Sequence, residues 1–296
     1  MLNIGIKKEA LKMHEAAVKK YNQTYAQMTK SCEALYLSRK ESVAIIEDIE
    51  ALINSIANSP KEFSTTMSSV AINCREFRQT EEYAKESYRA AIKAEGGAAA
   101  AVAGGTALAA LGPSAAMWVA TTFGTTSTGT AISTLHGIAA TNAALAWLGG
   151  GTTAAGAAGI AGGKALLALA GPIGWSIAGV AVGISTLSIS NKNKKVAEKA
   201  FNAAKEITIV GAELRETNAD IQHMTEKITL LNKELNEYFD KCYGLRNSDY
   251  ASLSEDARFM LGALVNNTQS LSATLNMAVS SHSEYLSKKS SHFVLA

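Results

Sequence analysis

LKMHEAAVKKYNQTYAQMTKSCEALYLSRKESVAIIEDIEALINSI, residues 11–56, decides the fold. Leu11, His14, Val18, Tyr21, Tyr25, Met28, Cys32, Leu35, Arg39, Ser42, Ile46, Ile49, Ile53 and Ile56 follow one another at alternating spacings of three and four. That rhythm puts them on one face of an α-helix, and its persistence is the heptad pattern of helices that pack along their length. Only His14, Arg39 and Ser42 interrupt the seam.

Outward from this stretch the pattern continues. Residues 6–95 contain no glycine and one proline, Pro60, which ends one helix and starts the next, with Ser59 as the expected N-cap. The second seam runs Phe63, Met67, Val70, Cys74, Phe77, Glu81, Ala84, Tyr88, Ala91. A third begins at Val196 and passes through Ala200, Ala203, Ile207, Val210, Leu214, Thr217, Ile221, Met224, Ile228, Leu231, Leu235, Tyr238 and Cys242 to Leu245, with Gly244 the expected terminator. The last, Leu261, Leu264, Thr268, Leu271, Leu275, Ala278, His282 and Tyr285, contains polar members that imply a less buried helix. The expectation is an all-α fold: an elongated antiparallel coiled-coil bundle of long helices with a central hydrophobic hairpin or transmembrane block.

Residues 97–190 are of another kind. Of 54 charged side chains in the protein only Lys164 lies there, so the stretch has no ordinary solvent face. It holds 27 Ala and 18 Gly against 25 large apolar residues, which makes it apolar but weakly so. Pro113, the threonine-rich loop at 124–129, the glycines of 149–151 and Gly171-Pro172 divide it into pieces near 98–123, 130–148, 152–170 and 173–190. Each approaches the roughly 20 residues that cross about 30 Å of hydrocarbon. Gly159 with Gly163, and Gly179 with Gly183, stand at the four-residue spacing that lets helices approach closely in lipid. Trp118, Trp147 and Trp175 suit headgroup depth or buried packing equally.

Two coiled-coil arms, 1–95 and 191–296, and a Gly/Ala-rich membrane-active block between them, 96–190, follow from these contrasts. Lys85, Arg89 and Lys93 precede the block, and Lys192, Lys194, Lys195 and Lys199 follow it. Positive charge at both flanks implies an even number of crossings, with both helical arms and both termini on the cytoplasmic side, and the second cluster is the expected contact for anionic lipid headgroups. Lys164 makes the third piece a marginal span, because a lysine at mid-membrane costs about 2.5–3.5 kcal/mol while each Leu or Ile returns a few tenths. Such a block can be folded against the arms and released later, or can line a permanent channel with Lys164 and His136 facing water. The alternative without a membrane is a buried core.

Other functions find little footing. A net charge of +2 names no anionic partner, and a nucleic-acid or oligonucleotide ligand has only the basic stretch 191–199 behind it, without interleaved aromatics. GIAGGKA at 159–165 fails as a phosphate loop: Ala158 stands at the first glycine position and Ala165 where a hydroxyl is needed. The five histidines have no partner at metal-ligand spacing, no nucleophile motif occurs, and no cofactor is implied, so the chain reads as no enzyme. Cys32, Cys74 and Cys242 read as small core residues in a reducing compartment. The N-terminus has neither an uncharged h-region nor a cleavage site, so no signal peptide is expected.

GTTSTGTAISTLHGIAATNAALAWLGGGTTAAGAAGIAGG, residues 124–163, resembles a Gly/Ala-rich hydrophobic segment of bacterial helical proteins. The whole plan, helix pair, apolar block, helix pair, resembles α-helical pore-forming toxins and the membrane effectors of anti-phage systems, a Hailong-type channel among them. This resemblance implies a membrane-inserting pore or ion channel, oligomerising through its arms, in the bacterial cytoplasm or inner membrane. The partners expected are the bilayer and further copies of the chain. The competing expectation is a membrane-anchored adaptor whose arms recruit a protein partner.

Overall fold

The structure is a computed structural model that describes residues 4–94, 120–121, 132, 135, 139–140, 143–144 and 189–277. It is all-α: α1 spans Ile4–Ser55, α2 Lys61–Ala94, α3 Ile189–Cys242 and α4 Glu255–Thr274. Among the described residues the single departure is a bridge pair, Ala57 with Asp249. At about 1.5 Å per residue, α1 and α3, of 52 and 54 residues, are each about 80 Å long.

The sequence seams are the buried faces. On α1, Tyr21, Tyr25, Met28, Cys32, Leu35, Ile46, Ile49 and Ile53 join one apolar cluster with Ile207, Leu214, Ile221, Ile228 and Leu235 of α3. The two helices lie side by side and run in the same direction. Tyr21 reaches Gly211, Ser38 meets Thr229 and Ser42 meets Asn232, the last two pairs offset by 191 and 190 residues. Expected antiparallel packing holds within each hairpin, where Tyr36 of α1 bonds Glu81 of α2 and Arg78 pairs with Glu47. Between hairpins it does not hold: α1 parallels α3, and α2 parallels α4 through Asn73 and Ser272 at 3.0 Å. α2 carries the chain back toward the end where α1 began and α3 starts from that same end, so it repeats the direction of α1; an apolar heptad stripe is compatible with either direction.

Both turns meet at one end of the rod. The Ala57 N–H donates to Ser248 O and the Tyr250 N–H to Ala57 O, each at 2.9 Å. Asn58 Nδ2 donates to Asp249 Oδ2 at 3.0 Å, and the Asn247 N–H to Ser55 Oγ at 3.1 Å. The Tyr250 ring packs edge-on against Phe63, 5.7 Å between centroids. Asn58 and Asn247 reverse the chain at φ 55° and 59°, the left-handed region that asparagine tolerates best after glycine. Gly244 is therefore not the terminator: it continues α3 in a 3₁₀ turn, Tyr243–Leu245, and the reversal comes at Asn247. α4 starts at a true N-cap, Ser254, whose Oγ accepts from the Ala257 N–H at 3.3 Å, with Glu255 and Asp256 favourably placed in the first turn.

The final seam is more deeply buried than its polar members imply. Leu261, Leu264, Thr268, Leu271 and Leu275 are all at most 1% exposed. Thr268 is tolerated because its hydroxyl donates to Leu264 O at 2.7 Å and so does not enter the core unmet. Ala278, His282 and Tyr285 lie outside the described residues.

Candidate membrane-active block and its seat

Trp118, Trp147, Gly159, Gly163, Lys164, Trp175, Gly179 and Gly183 all lie outside the described residues. So do the loop and helix divisions expected within 97–190. Of the described block residues, Ala120 and Ala144 are 0% exposed and Ile132 and Ala140 1%, while Ala139 is exposed. The four buried ones belong to the same apolar cluster as Tyr21, Phe77 and Leu235, with Leu135 and Ala143 packed partly against it. Thr121 is buried beside Ala120.

The basic residues after the block stand at the beginning of α3. Lys194, Lys195 and Lys199 are exposed, and Lys192 lies on the first turn of the helix. Lys194 Nζ is 4.0 Å from Glu198 Oε1 with both side chains in water, a pairing worth little. A small closed seam lies beside them, where Ala10 of α1 packs on Ala197 and Ala200 with Leu11 and Phe201 at its edges. Alanines there bring α1 and α3 close together.

Midway along the rod the polar residues of the seam are gathered into a layer. Ser42 Oγ donates to Asn232 Oδ1 at 2.6 Å, while Asn232 Nδ2 donates to Ser38 O at 2.8 Å and Glu41 Oε2 at 3.2 Å. Arg39, fully buried, donates from Nη1 to Leu275 O at 2.8 Å and from Nη2 to Met277 O at 2.9 Å, and reaches Met224 Sδ. It thus closes the C-terminal end of α4, where the carbonyls carry partial negative charge. Burial lowers the Arg39 guanidinium to about 9, which still leaves it cationic near neutrality. His14 is buried as well and its imidazole is lowered by that burial. Ser38 and Asn232 are absent from the heptad seam; a polar pair beside Leu35 and Leu231 was the available signal.

Two grooves accompany the hairpins. One of about 420 Å³ between α1 and α2 is walled by Glu47, Glu50, Glu82, Arg75 and Arg78, with Cys74 and Ile46 at its floor. One of about 260 Å³ between α3 and α4 is lined by Glu234, Glu237, Lys241 and Tyr238 above Leu235 and Leu271. In the first, Cys74 lies among glutamates, but burial and the nearby Glu50 carboxylate push its thiol up to about 11, and among the described residues no His, Cys, Asp or Glu group could hold a metal ion. The described helices include none long and apolar enough to cross a membrane. Comparison with protein-family models, with curated proteins and with solved structures yields no match.

Proposed function

We propose that the chain is a bacterial membrane-permeabilising protein, of the toxin or anti-phage effector kind, that assembles through its helical arms and makes a pore or ion channel from residues 97–190. The observation that carries this reading is a stretch of 94 residues with one charged side chain, Lys164, set between two amphipathic arms. Several further features support it. Both turns sit at one end of the rod, so the chain enters and leaves the block in the other half, and both arms can remain on one side of a bilayer. Exposed Lys194, Lys195 and Lys199 stand where the chain leaves the block, each able to gain about 1 kcal/mol at an anionic surface. The buried Ala120, Ile132, Ala140 and Ala144 suit a state in which part of the block rests on the arms before insertion.

Dye release from vesicles of phosphatidylglycerol and phosphatidylethanolamine tests the reading. The intact protein releases dye, release falls as salt screens the lysines, and Lys194→Glu with Lys195→Glu reduces it. Flotation with the vesicles without any leakage supports the anchored adaptor instead. The absence of both flotation and leakage overturns membrane action altogether.

A further inference from the structure

At the end away from the turns, small residues join α1 to α3: Ala10 packs on Ala197 and Ala200, and farther along Tyr21 reaches Gly211. The parallel course of the two helices therefore lays residues 4–20 of α1 beside residues 189–205 of α3 for about 25 Å. Each stretch is basic, and side by side they hold ten lysines against three glutamates, Glu9, Glu15 and Glu198. Lys12, Lys19 and Lys20 of α1 are exposed, like Lys194, Lys195 and Lys199 of α3. Among the described residues of this end only Lys194 has an acidic partner, Glu198. The turn half has the opposite balance. Residues 41–82 and 226–277 carry fifteen acidic against eight basic side chains, so the rod is polarised along its length, with net charges of +7 at one end and −7 at the other.

Apolar side chains stand among the lysines of the basic end. Ile4, Ile6 and Met13 are 55%, 52% and 50% exposed. Ile6, Met13 and Lys20 recur at seven residues and so fall on one line of α1, while Lys12 and Lys19 fall on another. Isoleucines exposed among lysines suit the boundary between headgroups and acyl chains, where lysine stems lie along apolar surface and their ammonium groups reach phosphate. Nucleic acid fits less well. It uses the lysines but leaves Ile4, Ile6 and Met13 without a role, and among the described residues of this end no aromatic ring is exposed for a base to stack on.

We infer that this two-helix end, α1 as well as α3, is a docking surface for an anionic phospholipid bilayer, and that the rod meets the membrane with this end while the acidic turns point away. Charge complementarity and the exposed apolar residues select the partner. So does the place of the surface: α3 begins at Ile189, at the close of the nearly uncharged stretch, so the surface adjoins the part of the chain that the membrane reading sends into lipid. The inference rests on that reading for its partner and needs no pore.

Single exposed cysteines in the full-length protein, carrying an environment-sensitive fluorophore, test it, because Cys32, Cys74 and Cys242 are buried. With vesicles of phosphatidylglycerol and phosphatidylcholine, the fluorophore at Ile6→Cys should shift to the blue, and that at Phe259→Cys, 75% exposed near the turns, should not. Phosphatidylcholine alone should shift neither. Lys12→Gln with Lys19→Gln should lower vesicle affinity about 25-fold, at about fivefold for each lysine, whereas Lys61→Gln with Lys233→Gln, the same loss of charge from the turn half, should lower it by less than about twofold. An Ile6→Cys fluorophore that stays in water, a Phe259→Cys fluorophore that shifts in its place, or equal losses from the two lysine pairs overturns the inference. Tighter capture of a duplex oligonucleotide than of the vesicles, lost through the same lysines, overturns the bilayer as the partner. A shifted Ile6→Cys fluorophore with no leakage caused by the wild type removes the pore and leaves the surface; leakage with that fluorophore still in water removes the surface and leaves the pore.

Discussion

Replacing Asn232 with alanine probes what aligns the two long helices. Asn232 is 2% exposed and makes two buried hydrogen bonds, accepting from Ser42 Oγ at 2.6 Å and donating to Ser38 O at 2.8 Å. At about 1 kcal/mol net for each bond, with a small cavity term added, Asn232→Ala should lower stability by about 2–3 kcal/mol. Ser42→Ala should cost less, because the Asn232 amide keeps its bond to Ser38 O and only the bond from the Ser42 hydroxyl is lost. Chemical denaturation followed by far-ultraviolet circular dichroism on both single variants and the double variant yields the coupling. A coupling of about 1 kcal/mol is expected, since both groups leave together in the double variant. Asn232→Leu separates stability from alignment: it should regain part of the stability while permitting other registers or copy numbers, as a buried polar residue in a seam is known to prevent. Strict additivity of the two alanine variants, or an Asn232→Leu protein with unchanged register by crosslinking, would refute the view that this layer sets alignment.

Three further outcomes follow from the same core. Because burial depresses the His14 imidazole, the unfolded chain binds a proton that the folded one resists; stability should fall as pH drops below about 6.5, and His14→Gln should flatten that slope in denaturation midpoints. Burial also opposes the charge on Arg39, which its contacts to Leu275 O, Met277 O and Met224 Sδ offset; Arg39→Met removes them and should loosen the end of α4, read as faster amide exchange at 271–277. Cys32 and Cys74 are buried, with thiols pushed up to about 12 and about 11, and Cys242 is buried with its thiol raised; alkylation at pH 8 should label none of the three until denaturant is added, as read by intact mass.

Heptad spacing made the helices legible, because residues at three and four apart must share a face whatever the neighbour is. That is why Tyr21, Cys32, Ile46, Ile228 and Leu235 are in the core where the pattern put them. Direction was not legible: the stripe reads the same against a parallel or an antiparallel partner, and the groups that distinguish them, Ser38 and Asn232, meet across 194 residues of sequence. The depth of α4 was hidden for a related reason. Thr268 looks like an exposed position until its hydroxyl is seen to bond Leu264 O, four residues earlier. Chain reversal at Asn247 rather than Gly244 depended on the bridge to Ala57, a contact between two distant turns. The glycines, tryptophans and Lys164 singled out in the block lie beyond the described residues, and there the sequence remains the whole account.

The weakness of the block's hydrophobicity acquires a physical sense from its seat. Burying a large side chain is worth about 1.5–3 kcal/mol, whereas an alanine methyl is worth under about 1. Ile132 and several alanines in the core of the arms therefore contribute only a few kcal/mol there, enough to hold against water and little enough to be matched elsewhere. The alternative environment is similarly lukewarm, since alanine, glycine and threonine gain little from hydrocarbon and Lys164 subtracts from it. A leucine-rich block would commit to lipid at once, and a charged one never would. Two weak and comparable affinities leave the choice to a third term, and the assembly proposed for the arms would supply one, since it grows with the number of copies present. Permeabilisation should therefore rise more steeply than linearly with protein concentration, and a strictly linear dose dependence of dye release would break the link between assembly and insertion.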